Sequence, residues 1–263
     1  MIAPSPRGAH THAWQITELF WTERQAVAEY EGFKAAPTRV GAIDDTRVSD
    51  FLKRVYGWMF VGLAVTAGVA MYVASQPALV QAIATSRLLF FGLVIAELGL
   101  VFWISARVSS LAPATAAGLF LLYSALNGIT LSLILLAFTG TSIASAFITT
   151  AGMFGALALF GTLTKRSLAG VGQFAFMGLV GIIIASIVGF FWQNSALQFL
   201  ISAAGVIVFT GLTAYDAQRL KAMALQVEGP QAQSYAVGGA LALYLDFINL
   251  FLMLLRLFGD RRG

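Results

Sequence analysis

With 263 residues of which 59% are hydrophobic and 11% charged, and a mean hydropathy of +0.82, the chain is far from a water-soluble domain, which runs nearer half apolar and a quarter charged. The first 50 residues hold seven of the 12 acids and five of the 16 bases, so the remaining 213 carry only 16 charges, set between long apolar runs; the net +4 flanks spans instead of forming the patch a nucleic acid would need. There is no cysteine, and the two histidines, His10 and His12, fall in the polar start, which excludes disulfides, thiolate chemistry and embedded proteases of the Ser–His or HExxH type.

Residues 1–50 read as a polar cytoplasmic tail, without the basic-then-apolar order of a cleavable signal peptide. Within it, 13–30 is either a surface helix resting Trp14, Phe20 and Trp21 on the bilayer or an unstructured tail. Residues 51–263 read as an all-α transmembrane domain of seven helices, at 56–75, 87–106, 112–137, 142–163, 173–192, 197–218 and 235–258. Each has about 20 residues, which as a helix gives roughly 30 Å, enough to cross a bilayer. Turn residues divide them: Ser75-Gln76-Pro77, Ala112-Pro113, Gly140-Thr141, Lys165-Arg166-Ser167, Gln193-Asn194-Ser195 and Glu228-Gly229-Pro230. Small residues four apart, such as Ala64 and Gly68, Ala151 and Gly155, or Gly181, Ala185 and Gly189, read as ordinary helix-packing faces. No internal repeat marks an inverted-repeat transporter.

Lysine and arginine bias sets the orientation. A cytoplasmic N-terminus places Arg39, Arg47, Lys53, Arg54, Arg107, Lys165, Arg166, Arg219 and Lys221 inside and leaves Arg87 alone in the outer loops. Seven spans then put Arg261 and Arg262 outside, against the rule. Either the earlier spans dominate or the last segment is re-entrant; the length of 236–258 favours a full crossing. The absence of cysteine and of a retrieval tail fits a bacterial inner membrane.

Ionisable groups inside a span are costly and usually functional. Five stand out: Glu97 and Arg107 in the second span, Asp216 in the sixth, Asp246 and Arg256 in the seventh. Glu97 and Arg107 are ten residues apart, and so are Asp246 and Arg256. In antiparallel neighbours, Glu97 level with Arg256 makes Arg107 level with Asp246. Ten residues is also about 280° of helix rotation, so the two pairs do not share a face. Asp216 and Asp246 gather on the inner half. Two carboxylates in low dielectric cannot both ionise cheaply and tend to share a proton, and their oxygens suit a hard cation such as Ca²⁺. Protonated, they would clamp the last two spans; deprotonated, they would repel and loosen them. The plainer reading satisfies each aspartate with nearby hydroxyls or amides. Asn127, with Tyr123 and Thr130 on roughly the same face, and Asn249, one turn beyond Asp246, form a second tier that fits a hydrated path or interhelical hydrogen bonding equally well.

The strings LYLDFINLFLMLLRLFG (243–259) and GLTAYDAQRLK (211–221) resemble the signature helices of the Bax-inhibitor family of transmembrane proteins, with ELGLVFW (97–103) and LNGITLSLI (126–134) in support. The likeness covers about residues 48–260. It implies a seven-helix fold whose last helix is enclosed by the other six. It also implies a pH-sensitive calcium leak gated by an aspartate pair matching Asp216 and Asp246, which are then candidate Ca²⁺ ligands. The family's second-span arginine, counted with that gate, falls at or beside Arg107, and its acid–arginine contact between the second and seventh spans matches Glu97 and Arg256. No cofactor is implied beyond Ca²⁺ as a permeant or bound ion; the partners implied are the lipid bilayer and other membrane proteins, among them a membrane AAA protease in some bacterial members.

Two rivals remain. Intramembrane aspartyl proteases place one aspartate in each of two neighbouring spans, and Tyr215-Asp216 fits the first half of that pattern. Asp246 follows Leu243-Tyr244-Leu245 instead of the Gly-x-Gly of the second half, and the last proline is Pro230, so no Pro-Ala-Leu follows; the chain is therefore read as no enzyme. The other rival is a regulatory protein that binds and modulates membrane partners without transport.

Overall fold

The computed structural model describes residues 40–263 apart from Gln193, Pro230 and Gly263, so the reading of 13–30 lies outside the described residues. Eight helices are described: α1 (Val40–Ala74), α2 (Pro77–Thr85), α3 (Arg87–Arg107), α4 (Pro113–Ala137), α5 (Gly140–Leu163), α6 (Ala169–Phe191), α7 (Ser195–Gln226) and α8 (Gln231–Phe258). Seven are long and apolar enough to cross a membrane, and each covers one of the expected spans to within one residue at its ends; the nine-residue α2 is the exception.

Local chemistry explains where they begin. Pro77 and Pro113 open α2 and α4, at the position where a missing N–H costs nothing. Side-chain oxygens of Ser86, Thr139 and Asn194 accept from the backbone N–H of Leu89, Ser142 and Ala196, capping α3, α5 and α7. The turn between α7 and α8 uses Gly229 at φ +65°, a conformation that glycine alone adopts freely.

The helices overrun the expected ends where a stripe of buried residues continues past the apolar run. Phe51, Val55 and Met59 are buried at four-residue spacing, so α1 runs unbroken through position 50 and past Asp50, Lys53 and Arg54. Buried Leu220 and Ala224 carry α7 to Gln226 in the same way.

The last helix is the best covered of the seven. In α8, 61% of the apolar window is buried, against 6% in α3. It packs on α4, α5 and α7, and Tyr244 meets Thr66 of α1. The resemblance implied enclosure by six helices; the direct packing described here comes from four, with Val108, just after α3, reaching Gly238. The C-terminus is tied to the α4–α5 turn: Thr139 N–H donates to Asp260 O (3.0 Å), Arg262 N–H to Ala137 O (3.0 Å) and Asp260 N–H to Ser142 Oγ (2.9 Å). At the opposite end, Arg47 of α1 forms a 2.8 Å ion pair with Glu228 of the α7–α8 turn. The last helix is therefore a full crossing of 28 residues and not a re-entrant one, and Arg261 stacks its guanidinium over Phe138, 5.9 Å from the ring centre.

Of the glycines in the four-residue small-residue pattern, Gly189 meets α7, at Gln198, Ile201 and Leu197, 3.4–3.6 Å from where a side chain would begin. Gly68, Gly155 and Gly181 have nothing within 4 Å of where a side chain would begin. The tight crossings are elsewhere: a methyl at Gly161 would collide with the Ala214 carbonyl of α7, and one at Gly128 would sit 2.7 Å from the Thr66 carbonyl of α1.

Candidate functional site

Asp246 lies 15 residues into α8, about 22 Å along the helix, and Asp216 lies ten residues before the end of α7, about 15 Å from it. A short turn joins those two ends, so the carboxylates sit at neighbouring depths. Both line one cavity of about 510 Å³ between α6, α7 and α8. Gln173 comes from α6, Tyr215 and Arg219 accompany Asp216 on α7, and Asn249 lies one turn past Asp246. Asp216 and Arg219 also line a smaller cavity of about 210 Å³, with Ser105 and Val108 at the end of α3 and Tyr235 of α8. Asp216 thus stands between two cavities on the same half of the bundle.

The α6 wall is placed by a polar lock. Gln218 of α7 accepts from Leu168 N–H (2.8 Å) and donates to Arg166 O (2.9 Å), while Lys221 donates to Thr162 O (2.8 Å). These bonds hold the α5–α6 loop against α7 and bring Gly172 onto the Tyr215 ring, where a side chain would not fit. Lys221, just past the end of the sixth expected span, is used in this lock.

Asp246 is 4% exposed, and its Oδ2 has no hydrogen-bond partner. A buried carboxylate oxygen left unpaired is expensive, which argues against the plainer reading in which local hydroxyls or amides satisfy it. Asn249, the nearest amide on the same helix, donates to Leu245 O at 2.8 Å and does not turn to Asp246.

Two expected contacts are not made. Glu97 and Arg256 form no ion pair; among the described residues the pairs within 4 Å are Arg47–Glu228 and Lys53–Asp50. Glu97 instead accepts from Thr130 Oγ1 of α4 at 2.5 Å, with Asn127 beside it, and Arg256 is exposed, with Arg261 as its charged neighbour. Depth matching proposed the pair, but a hydroxyl one helix away on the correct face wins over an arginine on the wrong one. Arg107 is exposed and lines neither cavity with Asp216; Arg219 is the arginine that does. It sits three residues after Asp216, a spacing that places both on one helix face and was the available signal.

Asn127 belongs to a second polar layer. Tyr244, fully buried in α8, donates to Asn127 Oδ1 at 3.1 Å and stands 2.6 Å from Thr66 Oγ1, which reaches Ser124 O at 2.8 Å. The rings of Phe120 and Tyr123 pack edge-on against Tyr244, 5.7 and 5.8 Å between centres. This layer joins α1, α4 and α8 by interhelical hydrogen bonds, one of the two roles open to Asn127.

Among the described residues, no group of three or more His, Cys, Asp or Glu side chains gathers as a metal site. The aspartate cavity offers two carboxylates with amide and phenol oxygens, fewer charged ligands than a tight calcium site uses.

Comparison with known proteins bears on the whole transmembrane part. The family described as inhibitor of apoptosis-promoting Bax1 matches residues 48–263. The inner membrane protein YbhL of Escherichia coli is 51% identical over 215 residues, covering 81% of this chain and 92% of that protein. An uncharacterized protein of Borreliella burgdorferi is 45% identical over 216 residues, 81% of this chain and 93% of its own length. Another, of Deinococcus radiodurans, is 41% identical over 227 residues, 86% and 96% respectively.

Proposed function

The chain belongs to the Bax inhibitor family of membrane proteins, and from that premise we propose that it is a pH-sensitive calcium leak gated by Asp216 and Asp246. The observation that carries this reading is the unpartnered, buried carboxylate of Asp246 facing the same cavity as Asp216. At acid pH one shared proton lets the two side chains hold α7 to α8. As the pH rises the proton is lost, two negative charges repel across a poorly solvated gap, and the helices loosen. A divalent cation is then drawn to the same oxygens and competes with the proton. Arg219 tunes the exchange from the α7 side, a role the sequence reading gave to Arg107. The N-terminus lies in the cytoplasm of a bacterial cell whose inner membrane holds the protein, and the chain catalyses no reaction.

Purified protein in proteoliposomes loaded with Ca²⁺ tests the reading. Release is expected to be faster above neutral pH than below about pH 6, the direction set by loss of the shared proton. No release at any pH would leave the other role, a regulator that binds membrane partners without transport. Cleavage of a transmembrane peptide by the protein and its loss in Asp246→Asn would overturn both in favour of a protease.

A further inference from the structure

A second cavity, of about 610 Å³, lies between α1, α4, α5 and α8, away from the aspartates. Its floor is Leu131 and Ile134 of α4 with Phe247 and Phe251 of α8; its rims are Met71 of α1 and Phe147 of α5. Met71 is 68% exposed and Phe147 48%, so both rims face the bilayer and the cavity opens to lipid between them. The lining is almost wholly apolar. Its charged residue is Arg262, at the end where Ser75 and Gly140 also lie. That end is the membrane surface to which the C-terminal residues are tied.

The dimensions select an occupant. Along α1 the cavity runs from Leu63 to Ser75, a rise of about 18 Å, close to the roughly 15 Å that one leaflet contributes to a 30 Å hydrocarbon core. A void of this size facing lipid forfeits packing on every wall if it stays empty. Lipid tails are as apolar as leucine, so hydrophobicity alone gives no preference for the site over the bilayer. The preference comes from filling the void and from a cation placed at headgroup depth.

We propose that this cavity is a lipid site: one acyl chain of an anionic phospholipid lies between α1 and α5, with its phosphate at Arg262. The chain packs against Phe247 and Ile248, the two residues that follow Asp246 on α8. The site stands independently of the calcium reading.

Native mass spectrometry of the full chain, released from detergent with phosphatidylglycerol or phosphatidylcholine of matched chains, tests it. One phosphatidylglycerol should be retained over phosphatidylcholine by up to about fivefold, the upper end of what an exposed ion pair provides. Arg262→Gln should abolish the preference while lipid is still retained. Ala67→Trp, which fills the cavity from an exposed rim position, should abolish retention itself. Leu159→Trp, on the exposed face of α5, should retain lipid like the parent and controls for added bulk. Equal retention of the two lipids by the parent chain, or undiminished retention in Ala67→Trp, overturns the proposal.

Discussion

At position 246 a carboxylate is held 4% exposed with one oxygen unpaired, a cost that folding alone has no reason to bear. Replacing it with a similar-sized apolar side chain removes that cost. Asp246→Leu is therefore expected to raise the melting temperature in detergent, by an amount corresponding to about 1–3 kcal/mol; a fall would mean that the carboxylate is well satisfied. Tyr244→Phe makes the opposite prediction. It strips the hydroxyl shared by Thr66 and Asn127 and should lower stability by about 1–2 kcal/mol, read in the same melting assay. Arg219→Gln removes the cation that shares both cavities with Asp216. Without it the deprotonated pair is less favoured, so the midpoint of the leak's pH profile should move to higher pH. The aspartates were legible in the sequence because a charge inside an apolar run has few inexpensive explanations. The partner of Glu97 was not. Residue counting gives depth along an axis and says nothing of which way a neighbouring helix has turned, and Thr130 carries no charge to draw attention to it. Arg219 counted in the sequence only toward orientation, while its position one turn from Asp216 pointed into the cavity.

The elements themselves were easier to read than their ends. Hydropathy finds a span because the bilayer core demands a continuous apolar run of fixed length. It does not find the extra turns of α1 and α7, where the burying partner is protein and one stripe of Phe51, Val55 and Met59 suffices. Nor does it find α2, whose nine residues are too few to cross. Glycine spacing proved a poor guide to contact, since the same four-residue pattern serves a packed face and a lipid face. The distinction is testable. Gly161→Val pushes against the α7 backbone at Ala214 and should destabilise the bundle by about 1–3 kcal/mol as overpacking does. Gly155→Val, which meets nothing within 4 Å, should be close to neutral. Equal melting temperatures for the two would contradict the α5–α7 crossing described.

For the molecule as a whole, the last helix is the shared wall of two cavities with different chemistry. On one side it offers Asp246 and Asn249 to a cavity shared with α6 and α7, where Gln173, Asp216 and Arg219 add polar groups; on another it offers Phe247 and Phe251 to a more apolar cavity shared with α1, α4 and α5. Full crossing by α8, fixed by the ties between the C-terminus and the α4–α5 turn, places Arg261 and Arg262 at the surface opposite the Arg47–Glu228 pair. With the cytoplasmic N-terminus proposed above, those two residues lie outside, where the more numerous bases flanking earlier spans outweigh them. The proposed gate is a change in how α7 rests on α8, set by the charge on the two aspartates. The most direct measurement is Ca²⁺ efflux from proteoliposomes across the acid-to-alkaline range for the parent chain, Asp216→Asn and Asp246→Asn. The account predicts efflux that climbs with pH in the parent and a flattened response in each variant. A pH response left intact in both variants would contradict it and place the sensor elsewhere in the bundle.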